Sequence, residues 1–302
     1  MTVKLVFLGT SCATPTKERN LSAMALTHEG ETLLFDTPEQ VQQQLMKTRT
    51  SYMKIKKILL THFHADHFIG ITGLLATMTL HERTETLTIF GPRGIKEKIA
   101  QAIELGGFKP RYQILCREAR DGILAEEETY AVRAVKVVHS VPCFGYIFEE
   151  KGKKAAFDKA KALALGIPEG PLYAKLQRGE NVKVNGKTFK PGQVLDYSKG
   201  RKGKKIAYII DTVPHTAYIK AVEEADVLVH ECTFAHEEAE RARKVKHSTA
   251  LQCGQVAKKA RVKTLILTHY STRYHDPKEL AEEAKKEFAH TIAAHDLMEY
   301  EV

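Results

Sequence analysis

The sequence of 302 residues predicts an α/β sandwich, with two β-sheets inside and helices outside. Three observations support this fold class. Short segments rich in Val, Ile, Leu and Tyr recur along the chain, as buried strands do. After a strand-rich opening, these segments alternate with longer helical patterns. Hydrophobic residues make up 43% of the chain and charged residues 27%, a balance that is typical of a globular protein.

Strands are predicted where short apolar or β-branched runs stop at turn residues. In chain order they cover residues 3–8, 24–28, 32–36, 55–61, 87–90, 112–115, 130–139, 145–149, 205–211, 227–231, 264–269, 291–294 and about 298–301. Helices are predicted at 39–46, 72–81, 94–105, 216–224, 249–259 and 277–287. Pro277 begins the last helix, and proline suits the first helical turn.

Residues 151–204 break this alternation, and we predict that they form an inserted, flexible, basic arm within a single domain spanning 1–302. Lysine-rich runs bound the segment, and glycine and proline punctuate it, as at Gly170-Pro171. The Asn185-Gly186 pair predicts a hairpin turn. Because the segment is short and polar, we expect no second hydrophobic core in it.

The charge balance favours a polyanionic partner. The formal net charge is +9, and each phosphate that a lysine or arginine neutralises releases counterions. No apolar run approaches the roughly 18–20 residues of a membrane span, and the first residues do not resemble a secretory signal. Five scattered cysteines without a C-x-x-C motif predict reduced thiols. We therefore expect a cytoplasmic protein without membrane association.

The most informative segment follows the predicted strand at 55–61. His62, His64, Asp66 and His67 lie within six residues, in the order H-x-H-x-D-H. Imidazole and carboxylate are ligands that zinc and similar divalent ions prefer. The segment offers more ligands than one metal site with an open position needs, so it predicts two adjacent metal sites and a hydrolytic reaction.

Other ligand-type side chains end later predicted strands. His139, Asp211 and His269 each follow at least four apolar or β-favouring residues. The carboxyl ends of parallel strands gather on one side of a sheet, where active sites of α/β proteins lie. Each of these residues alone would be read as a hydrogen-bonding cap, but together with the first cluster they favour a metal site.

This ligand order resembles that of the metallo-β-lactamase superfamily, which implies a four-layer αββα sandwich. Further motifs resemble the ribonuclease Z family, the tRNA 3′-processing endonucleases. These are P-T-x-x-R-N at 15–20, the Gly-Pro pattern at 166–172, His230-Glu231-Cys232-Thr233, His247-Ser248-Thr249 and the loop at 268–274. The resemblance spans nearly the whole chain.

Two positions depart from the family pattern. The turn after the third strand is Asp36-Thr37-Pro38-Glu39, where the family commonly has Asp-Cys-Gly-Glu. Val213 stands where the family often has arginine, in a Thr-Arg-Pro sequence after the bridging aspartate. The second change alters substrate contacts and removes no metal ligand.

The resemblance implies a complete ligand set for two Zn²⁺ ions per subunit, although the same nitrogen and oxygen ligands accept Mn²⁺ or Fe²⁺. The first ion would be held by His62, His64 and His139, and the second by Asp66, His67 and His269. Asp211 would bridge the two ions. A shared anion suits two cations that lie close together.

The resemblance also implies the reaction, in which metal-activated water cleaves one phosphodiester and the ribose 3′-oxygen leaves. Asp66 would position the water and accept its proton. His247 would stabilise or protonate the leaving oxygen, and Glu231 would orient His247. From the residues alone, His247 would be read as an exposed residue before a helix cap at Ser248-Thr249.

The implied partner is precursor tRNA, gripped by the arm of one subunit of a homodimer and cut by the other. Gly170, Pro171 and Lys175 would contact this substrate. Arg273 is as consistent with phosphate binding as with an ordinary surface role. The arm lysines that would meet tRNA phosphates are Lys151, Lys153, Lys154, Lys159, Lys161, Lys175, Lys183, Lys187 and Lys190.

Two other functions share some of these features. A phosphodiesterase acting on small or cyclic nucleotide diesters needs the same metals but no arm. A metal-stabilised RNA-binding protein without catalysis needs the basic charge but not the full ligand set.

Overall fold

The computed structural model describes residues 3–152, 155–197 and 200–302. Lys153 and Lys154, two of the lysines predicted to meet tRNA, lie outside the described residues. The chain divides into two compact units. The larger comprises Met1–Glu126, Ala131–Phe148 and Lys205–Val302, and the smaller comprises Glu127–Tyr130 and Glu149–Lys204.

The first sheet of the larger unit has seven strands, six from the amino-terminal part of the chain and one from its carboxyl-terminal end. In spatial order these are β18 (Glu299–Glu301), β1 (Lys4–Gly9), β2 (Ala23–His28), β3 (Glu31–Phe35), β4 (Ile55–Leu59), β5 (Leu87–Gly91) and β6 (Ile114–Glu118). The β1–β3 meander is antiparallel, and β3 to β6 pair in parallel. The helices between these strands are α1 (Val41–Met46), α2 (Ala65–Phe68), α3 (Ile71–Leu80) and α4 (Ile95–Leu105).

The second sheet also has seven strands. In spatial order these are β17 (Thr291–Ala293), β16 (Thr264–Thr268), β15 (Val227–Glu231), β14 (Lys205–Ile209), β9 (Cys143–Glu150), β8 (Tyr130–Val137) and β7 (Gly122–Glu126). Strands β14 to β17 pair in parallel. The helices associated with this sheet are α7 (Thr216–Ala221), α8 (Ala239–Val245), α9 (Ala250–Lys259) and α10 (Lys278–Lys285).

Alternating side chains of each strand point to two different apolar layers. On the first sheet, Leu34 packs into a buried cluster with residues of α1, α3 and α4. The next residue, Phe35, points to the opposite face, where its ring lies 5.2 Å from that of Tyr208 in the second sheet. The second sheet packs its own cluster against α7, α9 and α10. The predicted αββα sandwich is therefore confirmed.

Element boundaries differ from the sequence prediction in several places. The strand predicted at 112–115 lies at Ile114–Glu118, and β7 at Gly122–Glu126 was not predicted. Both are rich in charged or small residues and gain their strand structure from pairing with β5 and β8. The short helices α2 and α8 were also missed, because one turn or two of helix carries too little periodicity to detect.

The smaller unit carries secondary structure that the sequence did not reveal. It contains β10 (Ala156–Phe157), β13 (Leu195–Asp196), the hairpin β11 (Val182–Val184) with β12 (Lys187–Phe189), α5 (Lys159–Ala164) and α6 (Pro171–Gln177). The predicted Asn185-Gly186 turn is confirmed, and both residues have positive φ, at 48° and 77°.

The expectation that the arm lacks a hydrophobic core is wrong. Its two helices and its hairpin bury a small apolar cluster within the unit. The buried members are Ala162, Ile167, Tyr173, Leu176, Val182, Phe189 and Val194. These residues are widely spaced in a lysine-rich sequence, so only their convergence in the fold makes them a core.

No helix in the described part of the chain is long and apolar enough to cross a membrane. All five cysteines have free thiols, and Cys143, Cys232 and Cys253 are buried. This agrees with the prediction of reduced, packed cysteines.

Candidate metal centre and active site

The ligand-type side chains of the larger unit converge at the carboxyl ends of its strands. His62 follows β4, His139 follows β8, Asp211 follows β14 and His269 follows β16. The remaining members lie on the short helix α2, whose N-cap is His64. Residues that are far apart in sequence thus meet because their strands end at the same side.

Strained backbone marks this convergence. Asp36, Asp211 and His269 have φ values of 59°, 55° and 62°, in the left-handed region that disfavours residues with a Cβ. Each directly follows a strand or lies within two residues of its end. Such strain persists only where surrounding contacts hold it, and it concentrates at functional sites.

The first group consists of His62, His64 and His139. Nε2 of His62 lies 2.9 Å from Nδ1 of His64, and Nε2 of His139 lies 3.3 Å from the same nitrogen. Three ring nitrogens therefore face one point, as ligands of one ion do. Burial lowers the pKa of His62 well below its usual value, and burial lowers that of His139 to about 4. Both imidazoles are neutral at neutral pH, which is the form that binds metals.

The second group consists of Asp66, His67 and His269. Nε2 of His67 lies 3.4 Å from Oδ2 of Asp66. Burial lowers the pKa of His269 to about 3, so this imidazole is also neutral. Burial by itself would lower the pKa of His67, but the negative charges of Asp211 and Asp36 raise it well above its usual value. The surroundings of His67 therefore favour a positive charge.

Asp211 lies between the two groups. Its Oδ1 is 3.8 Å from Nε2 of His139, and its Oδ2 is 3.2 Å from Nε2 of both His67 and His269. Burial raises the pKa of the Asp211 carboxyl to about 7. A buried carboxylate that faces three imidazoles from two directions has the placement that a bridging ligand needs.

The unsatisfied hydrogen-bonding atoms of the donor set indicate that it suits divalent cations. Three buried atoms, His67 Nε2, Asp211 Oδ2 and His269 Nε2, have no hydrogen-bond partner within the described residues. A buried polar atom left unsatisfied costs about 1–3 kcal/mol, so native proteins rarely keep three at one point without a ligand. Nitrogen and carboxylate oxygen together suit zinc, manganese or iron.

A second layer of polar residues orients the ligands. Asp36 lies 2.9 Å from Nδ1 of His67 and accepts a hydrogen bond from the backbone N–H of Thr61 at 2.7 Å. The hydroxyl of Thr233 lies 3.1 Å from Nδ1 of His269. These partners fix which ring nitrogen faces the centre. The sequence alone indicates no role for either residue at the centre, although Asp36 stands at the end of a predicted strand.

A close backbone approach holds the Asp36 turn against α2. The N–H of Thr37 donates to the carbonyl of His67, and the N–H of Gly70 donates to the carbonyl of Thr37. A Cβ at Gly70 would lie 1.8 Å from the carbonyl oxygen of Pro38, so only glycine fits there. The departure from the family turn at 36–39 thus keeps the aspartate that supports His67.

Glu231 and His247 form a buried pair beside the centre. Oε1 of Glu231 lies 2.9 Å from Nδ1 of His247, which is also 3.7 Å from Oδ1 of Asp211. Glu231 further accepts hydrogen bonds from the N–H groups of Thr212 and Ser248 and from the Thr233 hydroxyl. Burial alone would lower the pKa of His247, but the Glu231 carboxylate outweighs it and raises the pKa to about 9. His247 therefore carries a proton at neutral pH.

The local fold explains why His247 is not the exposed residue that its sequence context alone indicates. Helix α8 ends at Lys246, which is left-handed with φ of 61°, and the N–H of His247 closes back on the carbonyl of Ala242 at 2.8 Å. Thr249 then caps α9 in a capping box with Gln252, as predicted. Only 12% of the His247 side chain is exposed.

The segment at 10–20, which includes the loop at 15–20, contacts the centre through Asp66. The N–H of Ala13 donates to Oδ2 of Asp66 at 3.1 Å. The loop is held in place by Asp296, which accepts hydrogen bonds from the Asn20 N–H and the Thr10 hydroxyl. Arg19 donates to the carbonyl of Tyr274 at 2.8 Å. This loop therefore has a fixed position beside Asp66.

The remaining residues predicted to contact substrate are Arg273, Gly170, Pro171 and Lys175. Arg273 is exposed, pairs with Glu238 at 2.8 Å and lies over the Phe234 ring. Gly170 and Pro171 start α6 in the smaller unit, and Lys175 is exposed on the same helix. His230 is buried, and its Nε2 lies 3.0 Å from the Tyr218 hydroxyl.

Comparison with known proteins gives full-length matches. Ribonuclease Z of Nitrosopumilus maritimus is 46% identical over 300 residues, covering 99% of this chain and 100% of that protein. Ribonuclease Z of Methanosarcina acetivorans is 42% identical over 301 residues, covering 99% and 98%. The crystal structure of the short form of human tRNase Z matches with a TM-score of 0.72 at 27% identity and covers 98% of both chains. A family model described as the anti-Pycsar protein Apyc1 matches residues 3–115, less than half of the chain.

The contact between Asp36 and His67 generates a prediction about metal affinity. Replacing Asp36 by Asn removes the charge behind His67, and loss of such a partner typically weakens metal binding about 10- to 100-fold. Competition with a chromogenic chelator measures the change. Asp226→Asn is the matched control, because Asp226 is a buried aspartate that directly precedes β15, at the other end of the sheet from the centre. Equal affinity of Asp36→Asn and wild type would contradict the orienting role.

Proposed function

This chain belongs to the ribonuclease Z family, and on that premise we propose how its residues remove the 3′ trailer from a tRNA precursor. The protein is a metal-dependent endoribonuclease that processes tRNA 3′ ends. Identity of 46% over the whole chain to a curated ribonuclease Z is the observation that carries this conclusion. The proposed products are a tRNA with a 3′-hydroxyl and a trailer with a 5′-phosphate.

We assign His62, His64 and His139 to one ion, Asp66, His67 and His269 to a second, and Asp211 to both. The proposed ions are two Zn²⁺ per subunit, with Mn²⁺ or Fe²⁺ as substitutes. When bound, such ions supply a nucleophile at neutral pH by lowering the pKa of water, and they offset negative charge on the phosphoryl oxygens. Elemental analysis that finds fewer than two divalent ions per chain would contradict this assignment.

Asp66 is proposed to position the attacking water and to accept its proton. Burial would raise the pKa of Asp66, but the hydrogen bond and the charge of His67 outweigh it and lower the pKa. Asp66 is therefore ionised at neutral pH. The Ala13 N–H donates to Oδ2 of Asp66, and Oδ1 is proposed to orient the water molecule.

His247 is proposed to donate a proton to the departing 3′-oxygen. Its raised pKa keeps it protonated, and its contact with Asp211 places it at the edge of the centre. Glu231 is proposed as a positioning residue, because its carboxylate binds His247, the Thr233 hydroxyl and two backbone N–H groups. A carboxylate in this place fixes the imidazole and stabilises its charge.

The smaller unit is proposed to grip the tRNA body. Its exposed lysines would neutralise backbone phosphates and position the substrate by shape rather than by sequence. Arg273 would add a phosphate contact near the loop at 268–274. We propose a homodimer in which the arm of one subunit holds the tRNA that the other cuts. The proposed compartment is the cytoplasm, and recovery of the activity in another cell fraction would contradict it.

The alternative of a phosphodiesterase for small or cyclic nucleotides is not favoured. Two curated relatives that match over nearly their full lengths, at 46% and 42% identity, are ribonucleases Z. A purely structural RNA-binding role does not explain the pair of His247 and Glu231 beside a complete donor set.

The first functional prediction concerns trailer release. Incubation of the protein with a precursor tRNA and Zn²⁺ or Mn²⁺ should give one cut near the discriminator base, mapped by sequencing both products. His64→Ala should abolish turnover, because it removes the nitrogen that faces both His62 and His139. His81→Ala, at an exposed histidine beside Tyr52, is the matched control and should keep full activity. A wild-type protein that leaves the trailer attached would overturn the proposed function.

A second prediction isolates the proton donated by His247. His247→Ala should lower kcat for an ordinary precursor by about 10²- to 10⁴-fold, because the 3′-oxygen is a poor leaving group without a proton. In a substrate with sulfur in place of that oxygen, the leaving group departs as a thiolate and needs no proton. On this substrate the variant should lose less than about tenfold relative to wild type. An equal loss on both substrates would assign His247 to another role.

A third prediction tests the arm and the dimer. Lys159→Glu with Lys175→Glu should raise KM for precursor tRNA by roughly tenfold and spare bis(p-nitrophenyl) phosphate, because only the tRNA reaches the arm. Lys96→Glu with Lys98→Glu, at exposed lysines of α4, is the charge-matched control.

Mixing the arm variant with His64→Ala then tests the assembly. In a homodimer that works across subunits, the intact arm of one chain serves the intact centre of the other, and tRNA cleavage returns. No recovery on mixing would contradict that arrangement.

A further inference from the structure

A groove with a volume of about 850 Å³ lies beside His247, within the larger unit. We call it the His247 groove, and Val213, Ile219, Arg243, His247, Gln252 and Lys259 are among the residues that line it. Its volume is within the range of about 300–1,000 Å³ that is usual for small-molecule sites. Neither the metal ligands nor the arm account for it.

The walls of the groove are aliphatic. Val213 and Pro214 follow the bridging Asp211, Ile219 comes from α7 and Val256 from α9. Val138, next to the metal ligand His139, is 40% exposed. A flat apolar ring that packed between these side chains would remove aliphatic surface from water, which is favourable.

The rim of the groove is basic. Arg243, Lys246 and Lys259 line it, with Glu240 as the one acidic residue among the lining side chains. Within the described residues, neither Arg243 nor Lys259 is paired with a carboxylate. Lys246 is fixed next to the centre, because its Nζ donates to the carbonyl of His139 at 3.1 Å. An anion at this rim would meet cations that no salt bridge already occupies.

Gln252, a polar side chain at the wall, has hydrogen-bond donors available to a ligand. The Oε1 of Gln252 accepts the N–H of Thr249 at 3.0 Å in the capping box of α9, which fixes the amide group. Its Nε2 hydrogens have no hydrogen-bond partner in the part of the chain that the structure describes. They can donate to an acceptor on the edge of a ring in the groove.

Together the aliphatic walls, the cationic rim and a fixed amide donor match an unpaired nucleotide, with its base between the walls and its phosphate at the rim. The position of His247 decides which nucleotide. If His247 gives its proton to the leaving 3′-oxygen, the groove next to it holds the nucleotide that carries this oxygen. We propose that the His247 groove binds the base of the last nucleotide retained in the tRNA, an inference that rests on the proposed function.

Val213, which stands where the family often has arginine, contributes to this groove. The residue lies on the groove wall, two positions after Asp211. An aliphatic side chain there contacts a base and not a phosphate. The cationic contacts therefore come from Arg243 on α8, Lys246 directly after α8 and Lys259 on α9. Recognition on this side therefore combines apolar packing with charges from separate elements.

The test couples protein variants to base deletions in the substrate. Three precursors are compared: an intact one, one that is abasic at the last retained nucleotide, and one that is abasic at the first trailer nucleotide. In wild type, deletion of the retained base should lower kcat/KM roughly tenfold. In Val213→Ala with Ile219→Ala, intact tRNA should be cut more slowly, and the same deletion should cost less than about twofold, because the packing surface is already reduced.

Val245→Ala is the matched control, because Val245 is exposed on α8 and does not line the groove. It should keep the full effect of base deletion. Arg243→Ala should weaken the binding of all three precursors equally and reduce the salt dependence of binding by about one phosphate contact.

Two outcomes overturn the inference. One is coupling of the Val213 and Ile219 variants to the first trailer base in place of the retained base. The other is equal sensitivity of variant and wild type to both deletions. A wild-type protein that cuts none of the precursors would instead overturn the proposed function, so the two failures are distinguishable.

Discussion

The burial of the Asp211 carboxylate is the constraint on which the rest of the site depends. A carboxylate removed from water is costly unless cations or hydrogen bonds offset it. Here it faces His67 and His269 through one oxygen and His139 and His247 through the other. The strands that end at these residues must therefore stop at the same level, and the parallel pairing of β14, β15 and β16 provides that alignment.

Supporting hydrogen-bond partners hold several side chains of the site in place. Asp36 supports His67, Thr233 supports His269, and Glu231 supports His247 while it binds two backbone N–H groups. Burial keeps the imidazoles of His139 and His269 neutral, whereas a carboxylate keeps His247 charged. Similar side chains thus acquire different protonation states from their surroundings, which separates the proposed metal ligands from the proposed proton donor.

The residues proposed for catalysis and the lysines proposed to grip the tRNA body lie in different parts of the chain. The larger unit contains the donor set, the pair of His247 and Glu231, and the His247 groove. The smaller unit has its own apolar cluster, so its lysines project from a folded element and not from a disordered loop. The proposed contacts to the tRNA body and the proposed contacts near the cut therefore belong to separate compact units of the chain.

The sequence by itself determined the αββα fold and the candidate metal ligands. Alternation of short apolar strands with helices is visible along the chain outside residues 151–204, and His62 to His67 are a local cluster. His139, Asp211 and His269 could be found because each ends an apolar run. The sequence could not decide the contacts of Asp36 and Thr233, because their partners lie 31 and 36 residues away and only the fold brings them together. It also missed the arm core, since Ile167, Leu176 and Phe189 have no periodicity and become buried only when helices and hairpin pack together. Tertiary structure decided these features because burial and hydrogen bonding at a position depend on what the fold places beside it.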